Sequence, residues 1–390
     1  MKLFRETPLY MGCIVLVLVT IFQFQNCSEQ KLDLNSKNSI PDPVLKNLMS
    51  HQLLPQTPGP LPLNTRSFTN SESTLIVVVS GSGFRLTLAG KIGMSVSLDG
   101  VTIGSASSYT NELASHKAFS SSAIVVNGVA KGAHTITLLP LIGTLTNADD
   151  FFNVTVMEIP DNSGFSSQHL AKQQVGPLPV SPASFLTSGG DLLIMTSGTA
   201  YNTIASQIFL GIQFDGANLA GLSTFSNEPN SHKLLASKAV VKRGVEAGSH
   251  QINLSSSSAL SNSDDIFDVA VLEVPSRVKL TQISDIRGAL PSISSFTTSG
   301  GKVLVFVNGS GYRTNAGGRG LIGMFVAIDG VNVGTAKVLT NEVLSHKVFV
   351  PSVITLNNLA AGNHSISLLH MPETTSDVND FFDITILETP

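Results

Sequence analysis

From about Ser67 onward the chain states one pattern three times, and a repeat has to be read as a folding unit before any local element is assigned. Asp99-Gly100, Asp215-Gly216 and Asp329-Gly330 each close an apolar run. Each is followed by Asn-Glu (Asn111-Glu112, Asn227-Glu228, Asn341-Glu342) and then by Ser-His-Lys (Ser115-His116-Lys117, Ser231-His232-Lys233, Ser345-His346-Lys347). A second histidine, His134, His250 or His364, opens the next alternating run, and each copy ends on an apolar strand carrying Glu158, Glu273 or Glu388. The Asp-to-His spacing is 17 residues in every copy (99 to 116, 215 to 232, 329 to 346), and the second His follows 18 later. The period, 116 then 114 residues from Asp99 to Asp215 to Asp329, far exceeds the roughly 20 to 50 residues of a solenoid unit. It matches the ~100 to 150 residues of an ordinary domain, so three domains are expected.

Within a copy the hydrophobic period is two: Met94, Val96 and Leu98 alternate with Ser95 and Ser97, and Ile384 and Ile386 alternate with Asp383 and Thr385. Such alternation buries one face of a strand and wets the other. Asp-Gly between apolar runs suits a tight hairpin whose turn residues need positive φ. No stretch of the repeats sustains a 3.6-residue period, so the expected fold is all-β: three tandem antiparallel β-sandwich domains of jelly-roll-like type. The boundaries read as 65–160, 184–275 and 295–390, with linkers at 161–183 and 276–294.

Residues 1–27 read as a targeting segment, with Lys2 and Arg5 preceding the apolar stretch Ile14 to Phe22 and Cys27 closing it. The layout resembles a bacterial lipoprotein signal, which implies acylation of Cys27, a membrane partner through that lipid and, with Ser28 following, the outer membrane facing either side. Phe24, Gln25 and Asn26 depart from that family's aliphatic-then-small pattern, so an ordinary secretory signal or an uncleaved anchor stays open. Residues 28–64, with Pro41, Pro43, Pro55, Pro58, Pro60 and Pro62, read as an extended tether. Both cysteines, Cys13 and Cys27, precede the repeats, which excludes disulfides, thiolate metal sites and a cysteine nucleophile from them.

A net charge of −4 with only 13% charged residues gives no basic run for nucleic acid and no disordered tail. The order of the Gly-Gly strand, the Asp-Gly turn, the Ser-His-Lys segment and the Gly-x-His strand resembles jelly-roll domains of bacterial and phage surface proteins, of the complement and tumour-necrosis-factor-like shape. Threefold assembly is common there, which implies that the three copies could pack as an intramolecular pseudo-trimer; separate beads on linkers are the rival.

The candidate sites each carry a plainer reading beside the functional one. His116, His232 and His346 are the surface-binding candidates, either converging around a threefold axis or shaping their own loops by local hydrogen bonds. His134 with Glu158, His250 with Glu273 and His364 with Glu388 fall on one face at one end of each sandwich and are expected to pair, as structural register pins. Asp149, Asp150, Asp264, Asp265, Asp377 and Asp380 offer calcium-type oxygens without regular loop spacing, so solvated turn chemistry is preferred and no metal or other cofactor is assigned. No nucleophile elbow or phosphate loop is present, and the chain is not expected to be an enzyme. The expectation is a lipid-anchored, cell-surface binding or adhesion protein whose partner is a glycan or a protein. The alternative is a structural envelope protein whose repeats self-associate without a soluble ligand. The Arg-Gly stretch Gly317 to Gly320, present in one copy only, and the faces between domains are the places where function is expected to lie.

Overall fold

The alternating runs become strands, and their pairing fixes the architecture. The computed structural model describes residues 48–389 apart from 316 and contains no helix among them. Repeat one has eight strands: Met49–Pro58; Leu63–Asn64 continued by Phe68–Asn70; Ser73–Gly83; Gly90–Leu98; Val101–Thr110; Ser122–Val129, preceded by Lys117–Ala118; Gly132–His134 continued by Ile136–Pro140; and Phe151–Pro160. They form two antiparallel sheets, in the order first, eighth, third, sixth and the order second, seventh, fourth, fifth. The partners first with eighth, second with seventh, third with sixth and fourth with fifth are those of one long hairpin wrapped into a sandwich, which is the jelly roll. Repeats two and three reproduce this order, down to Ser166–Val175 and Lys279–Arg287 as first strands and Ile266–Val274 and Phe381–Thr389 as eighth strands.

The turn chemistry behaves as expected. Asp99, Asp215 and Asp329 have φ near +50° (50, 49 and 50) and the following glycines have φ of 83, 79 and 80°, the doubly positive hairpin turn that Asp-Gly favours.

Three expectations are corrected. The segments 161–183 and 276–294 are not linkers, and 28–64 is not wholly a tether, because each contains the first strand of the following repeat. These strands were hidden because their register breaks in the middle, between Gln52 and Thr57, between His169 and Gln174, and between Ile283 and Ile286. Gln56 and Gln173 sit at positive φ in that bulge (49 and 51°), so the period of two is lost in the middle of the strand. Pro55 and Pro58 are tolerated because this is an edge strand. The third correction concerns the eighth strand: instead of one wet face it is buried along its whole length in every copy, Asp383 and Thr385 included.

The second buried face lies against the other repeats. Besides one core inside each sandwich, a fourth apolar cluster joins Ile76, Met157 and Ile159 of repeat one with Leu193, Met195 and Leu272 of repeat two and Leu304, Phe306 and Leu387 of repeat three. All of these belong to the sheet that holds the first and eighth strands. Separate beads would bare this face to water at roughly 1.5–3 kcal/mol per large apolar side chain. The copies are therefore lobes of one head, packed as an intramolecular pseudo-trimer.

Candidate functional site

Asn111, Asn227 and Asn341 close the ring of lobes. Asn111 Nδ2 donates to Asn230 O of lobe two at 2.7 Å, Asn227 Nδ2 donates to Leu344 O of lobe three, and Asn341 Nδ2 donates to Ala114 O of lobe one at 2.7 Å. Each acceptor residue has positive φ (61, 61 and 56°), so one loop conformation is used three times to receive the neighbouring lobe. The loops form the tip of the head. The chain enters the described structure at the opposite end, where Met49 pairs with Glu158 and strand eight finishes.

Below the ring the repeated lysines converge with the repeated glutamates. Glu112 reaches all three ammonium groups, at 3.0 Å from Lys117, 3.0 Å from Lys233 and 3.4 Å from Lys347, and also accepts the Ser231 hydroxyl. Among the described residues Glu228 pairs with one ammonium, that of Lys233 (2.6 Å), and Glu342 with one, that of Lys347 (2.5 Å). Burial works against the Glu112 carboxylate, but Lys347, Lys117 and Lys233 outweigh it and hold its pKa well below the usual range. Burial pulls the Lys117 amine down to about 7, an effect that Glu112 only partly offsets. For Lys347 the same burial is outweighed by Glu112 and Glu342, and its pKa is raised. The lysines of Ser-His-Lys, not the expected histidines, make this site, and the signal for it in the sequence is three like charges repeated in a sparsely charged chain.

The histidines themselves do not converge. His116 Nδ1 lies 2.9 Å from Asp150 Oδ1, His232 2.9 Å from Asp265 and His346 3.0 Å from Asp380. All three rings are buried, His116 against Phe84, His232 between Tyr109 and Tyr201, and His346 between Phe225 and Tyr312. Asp150, Asp265 and Asp380 are fully buried rather than solvated: each also accepts a hydroxyl, from Ser82, Thr199 or Ser310, and a backbone N–H, from Asn147, Asn262 or Asp377. Asp149 instead pairs at 2.7 Å with Arg319 of lobe three, which gives the copy-specific Arg-Gly stretch an inter-lobe contact. Among the described residues one group, His346 with Asp377 and Asp380, has three ligand atoms within 4.8 Å of one another. Its Asp380 oxygens already serve His346, Ser310 and the Asp377 amide, so the group is a hydrogen-bonded turn.

The expected His–Glu pairs are also corrected. Both members lie at the base end, but His134, His250 and His364 bond Asp99, Asp215 and Asp329 of the hairpin turns, at 2.6, 2.7 and 2.6 Å. Glu158, Glu273 and Glu388 instead accept the backbone N–H and hydroxyl of Ser71, Ser188 and Ser299. Strand parity places both residues at the same end but says nothing of the Asp-Gly carboxylate, which the neighbouring fourth strand delivers to the histidine. Cys27 and the proposed lipid signal lie outside the described residues.

Between tip and base the axis carries a polar layer in which each interface has its own chemistry. Ser122 Oγ donates to Asp268 Oδ2 at 2.8 Å between lobes one and two. Lys238 pairs with Asp383 at 3.3 Å between lobes two and three, and Asn153 Nδ2 donates to Pro351 O at 2.7 Å between lobes one and three. These copy-specific polar contacts fix the order of the lobes around the axis.

No protein-family model matches the chain, and no curated protein matches it. Among solved structures it is similar to PNGF-II, with 8% identity over 81% of this chain and 99% of that one, at a TM-score of 0.27. It is also similar to a Sulfolobus turreted icosahedral virus structure (10% identity, 87% and 90% covered, TM-score 0.22). A third likeness is the insecticidal delta-endotoxin Cry8Ea1 of Bacillus thuringiensis (10% identity, 89% and 60% covered, TM-score 0.19). At these scores the likenesses carry no argument about function.

Proposed function

We propose that the chain is a lipid-anchored cell-envelope protein that presents a three-lobed head for binding or adhesion at a surface. The observation that supports this is the polarity of the head. Its N-terminal strand enters at the base, while the loops in which the copies differ gather at the far end, where a tethered protein meets its surroundings. In lobe one these loops hold out Leu88 and Ile142, 73% and 99% exposed, close to Arg85, whose carbonyl binds the Ala114 amide of the ring loop. The corresponding loops carry Ile204 and Ser258 in lobe two and Asn315 and Glu373 in lobe three. Binding residues concentrate on loops positioned by a rigid scaffold, and grouped exposed apolar side chains mark contact surfaces.

Two measurements test the reading. Cells expressing the full chain are labelled with a fatty acid, and the label is expected to be lost in Cys27→Ser; a label retained in that variant removes the anchor. Whole-cell binding to host, glycan and bacterial surfaces is expected for the wild type and is expected to fall when Leu88 and Ile142 are both changed to Ser. The same two side chains favour a second reading, self-association of heads without a soluble ligand. Light scattering of the purified chain with and without the two substitutions separates it from surface binding.

A further inference from the structure

The three seams between lobes are built on one plan but closed differently. Where the fifth strand of one lobe faces the next lobe, the equivalent positions are Ser107, Ser223 and Lys337. At the first seam Gln173 Oε1 accepts from both the amide and the hydroxyl of Ser107, each at 2.8 Å. At the third seam the Lys337 ammonium lies 4.1 Å from the centre of the Phe151 ring. At the second seam Ser223 stands where lobe three has its lysine, and a groove of about 450 Å³ runs between lobes two and three. That volume lies within the range of small-molecule sites.

The walls of the groove are specific to this seam. Phe209 occupies the position that is Gly93 in lobe one and Gly323 in lobe three. Its ring lies across Gly221, where an added Cβ would fall 2.2 Å from the ring Cζ, so bare backbone seats the ring on the sheet surface. Opposite stand Phe381 and Arg287, the guanidinium 5.5 Å from the Phe381 ring centre. Arg287 Nε donates to Val378 O at 3.0 Å, and among the described residues its two terminal amino groups make no hydrogen bond. Among the described residues the lining contains this one cation and no carboxylate, with the hydroxyls of Ser255 and Ser257 and the amide of Asn218 beside it.

We propose that this groove binds a carboxylate-bearing saccharide, an assignment that rests on the surface-binding reading above and names its ligand class. The apolar C–H face of a pyranose packs against the flat Phe209 ring, as amphipathic ligands do on aromatic surfaces. Serine hydroxyls and an amide both donate and accept, which matches sugar hydroxyls. The planar fork of Arg287 takes the carboxylate in a paired geometry that a lysine would not supply.

Full-length protein in detergent is titrated calorimetrically with oligogalacturonate, oligoglucuronate and sialyllactose, and with the methyl ester of each. At least one acid is expected to bind, with its ester at least ten-fold weaker. Phe209→Gly, which installs the residue of the sister lobes, and Arg287→Gln are each expected to weaken binding at least ten-fold while the melting temperature falls by no more than about 3 °C. Failure of all three acids to bind, equal binding of acid and ester, or undiminished binding in both variants overturns the assignment. Surface adhesion of cells carrying the same proteins is measured alongside. Adhesion that survives both substitutions overturns the groove but leaves the surface-binding reading standing, whereas a wild type that adheres to nothing removes that reading as well.

Discussion

Glu112→Gln is the substitution on which the account of the head stands most exposed. Glu112 faces three buried ammonium groups, whereas Glu228 and Glu342 each face one, and its side chain is the least exposed of the three at 20% against 33% and 29%. Removing its charge leaves three lysines to two carboxylates in a site that water reaches poorly. Breaking a buried pair costs about 3–5 kcal/mol, because the orphaned charge remains buried. At about 2.1 cal/mol/K per residue, a head of roughly 340 residues that melts as one unit has an unfolding entropy near 0.7 kcal/mol/K, so each kcal/mol moves Tm by about 1.4 °C. Glu112→Gln is therefore expected to lower Tm by about 4–7 °C. Glu342→Gln and Glu228→Gln, removing half-exposed partners of a single lysine, are expected to lower it by about 1–3 °C. Adding Lys117→Met to Glu112→Gln removes one orphaned charge and is expected to recover part of the loss, a coupling that a double-mutant cycle reads directly. Differential scanning calorimetry of the purified chain at about pH 5.5, where the Lys117 amine, pulled down to about 7, still carries its proton, and at two salt concentrations is the assay. If the three glutamine variants melt together, or if the double variant is the sum of its parts, Glu112 is not the counter-charge of the axis.

Two further outcomes follow from the geometry. The Asp99–His134, Asp215–His250 and Asp329–His364 pairs make stability depend on pH. Partial burial opposes the His134 charge but the Asp99 hydrogen bond outweighs it, and the bonds to Asp215 and Asp329 raise His250 and His364. A raised histidine contributes stability that is fully present below about pH 6.5 and lost as pH rises through its folded value. The lowered aspartates contribute above about pH 4 and lose it as pH falls through theirs. Urea midpoints are therefore expected to form a plateau between about pH 4 and 6.5 and to decline just above it as the histidines lose their protons, while the Lys117 amine, lowered to about 7, works in the opposite direction at higher pH; changing all three histidines to Gln should remove the decline above pH 6.5, and a decline that persists in that variant contradicts the assignment. Separately, residues 49–58 pair along the eighth strand, so their amides are expected to resist hydrogen exchange and proteolysis at a level close to the lobe cores. Cleavage there at the rate of an open tether would contradict the register.

How much of this was legible depends on what the repeat could and could not transmit. Alternation and Asp-Gly turns act between near neighbours in sequence, so the strands from Gly90 to Pro140 and their equivalents could be read off directly. The first strands could not, because the bulge at Gln56 and Gln173 breaks the period of two and the prolines imitate a linker. A bulged edge strand gives no local signal that distinguishes it from a tether; only its partner, some hundred residues later, identifies it. The eighth strand did carry a signal that was passed over: Ile266 to Val274 is nearly all apolar, which is the mark of a strand covered on both faces rather than one.

The site was misjudged for a related reason, and the reason indicates where to look in repeats of this kind. A pseudo-threefold axis brings equivalent residues together, so a thrice-repeated side chain on the axial face meets copies of itself. The imidazoles of His116, His232 and His346 turn aside to their own aspartates, while the repeated lysine charges meet and must be neutralised, as Lys117, Lys233 and Lys347 are by glutamates from the same loops. Repetition therefore serves structure: what all three copies share either fixes the fold of each lobe, as the His–Asp pairs do, or holds the three lobes in register, as the lysines and glutamates do. A ligand site on such a head needs a place that the symmetry does not fill. Phe209 in place of a glycine, and Ser223 in place of a lysine, open such a place at one seam out of three. Copy-to-copy difference at equivalent inter-lobe positions, rather than agreement, is the sequence signal that such a site leaves.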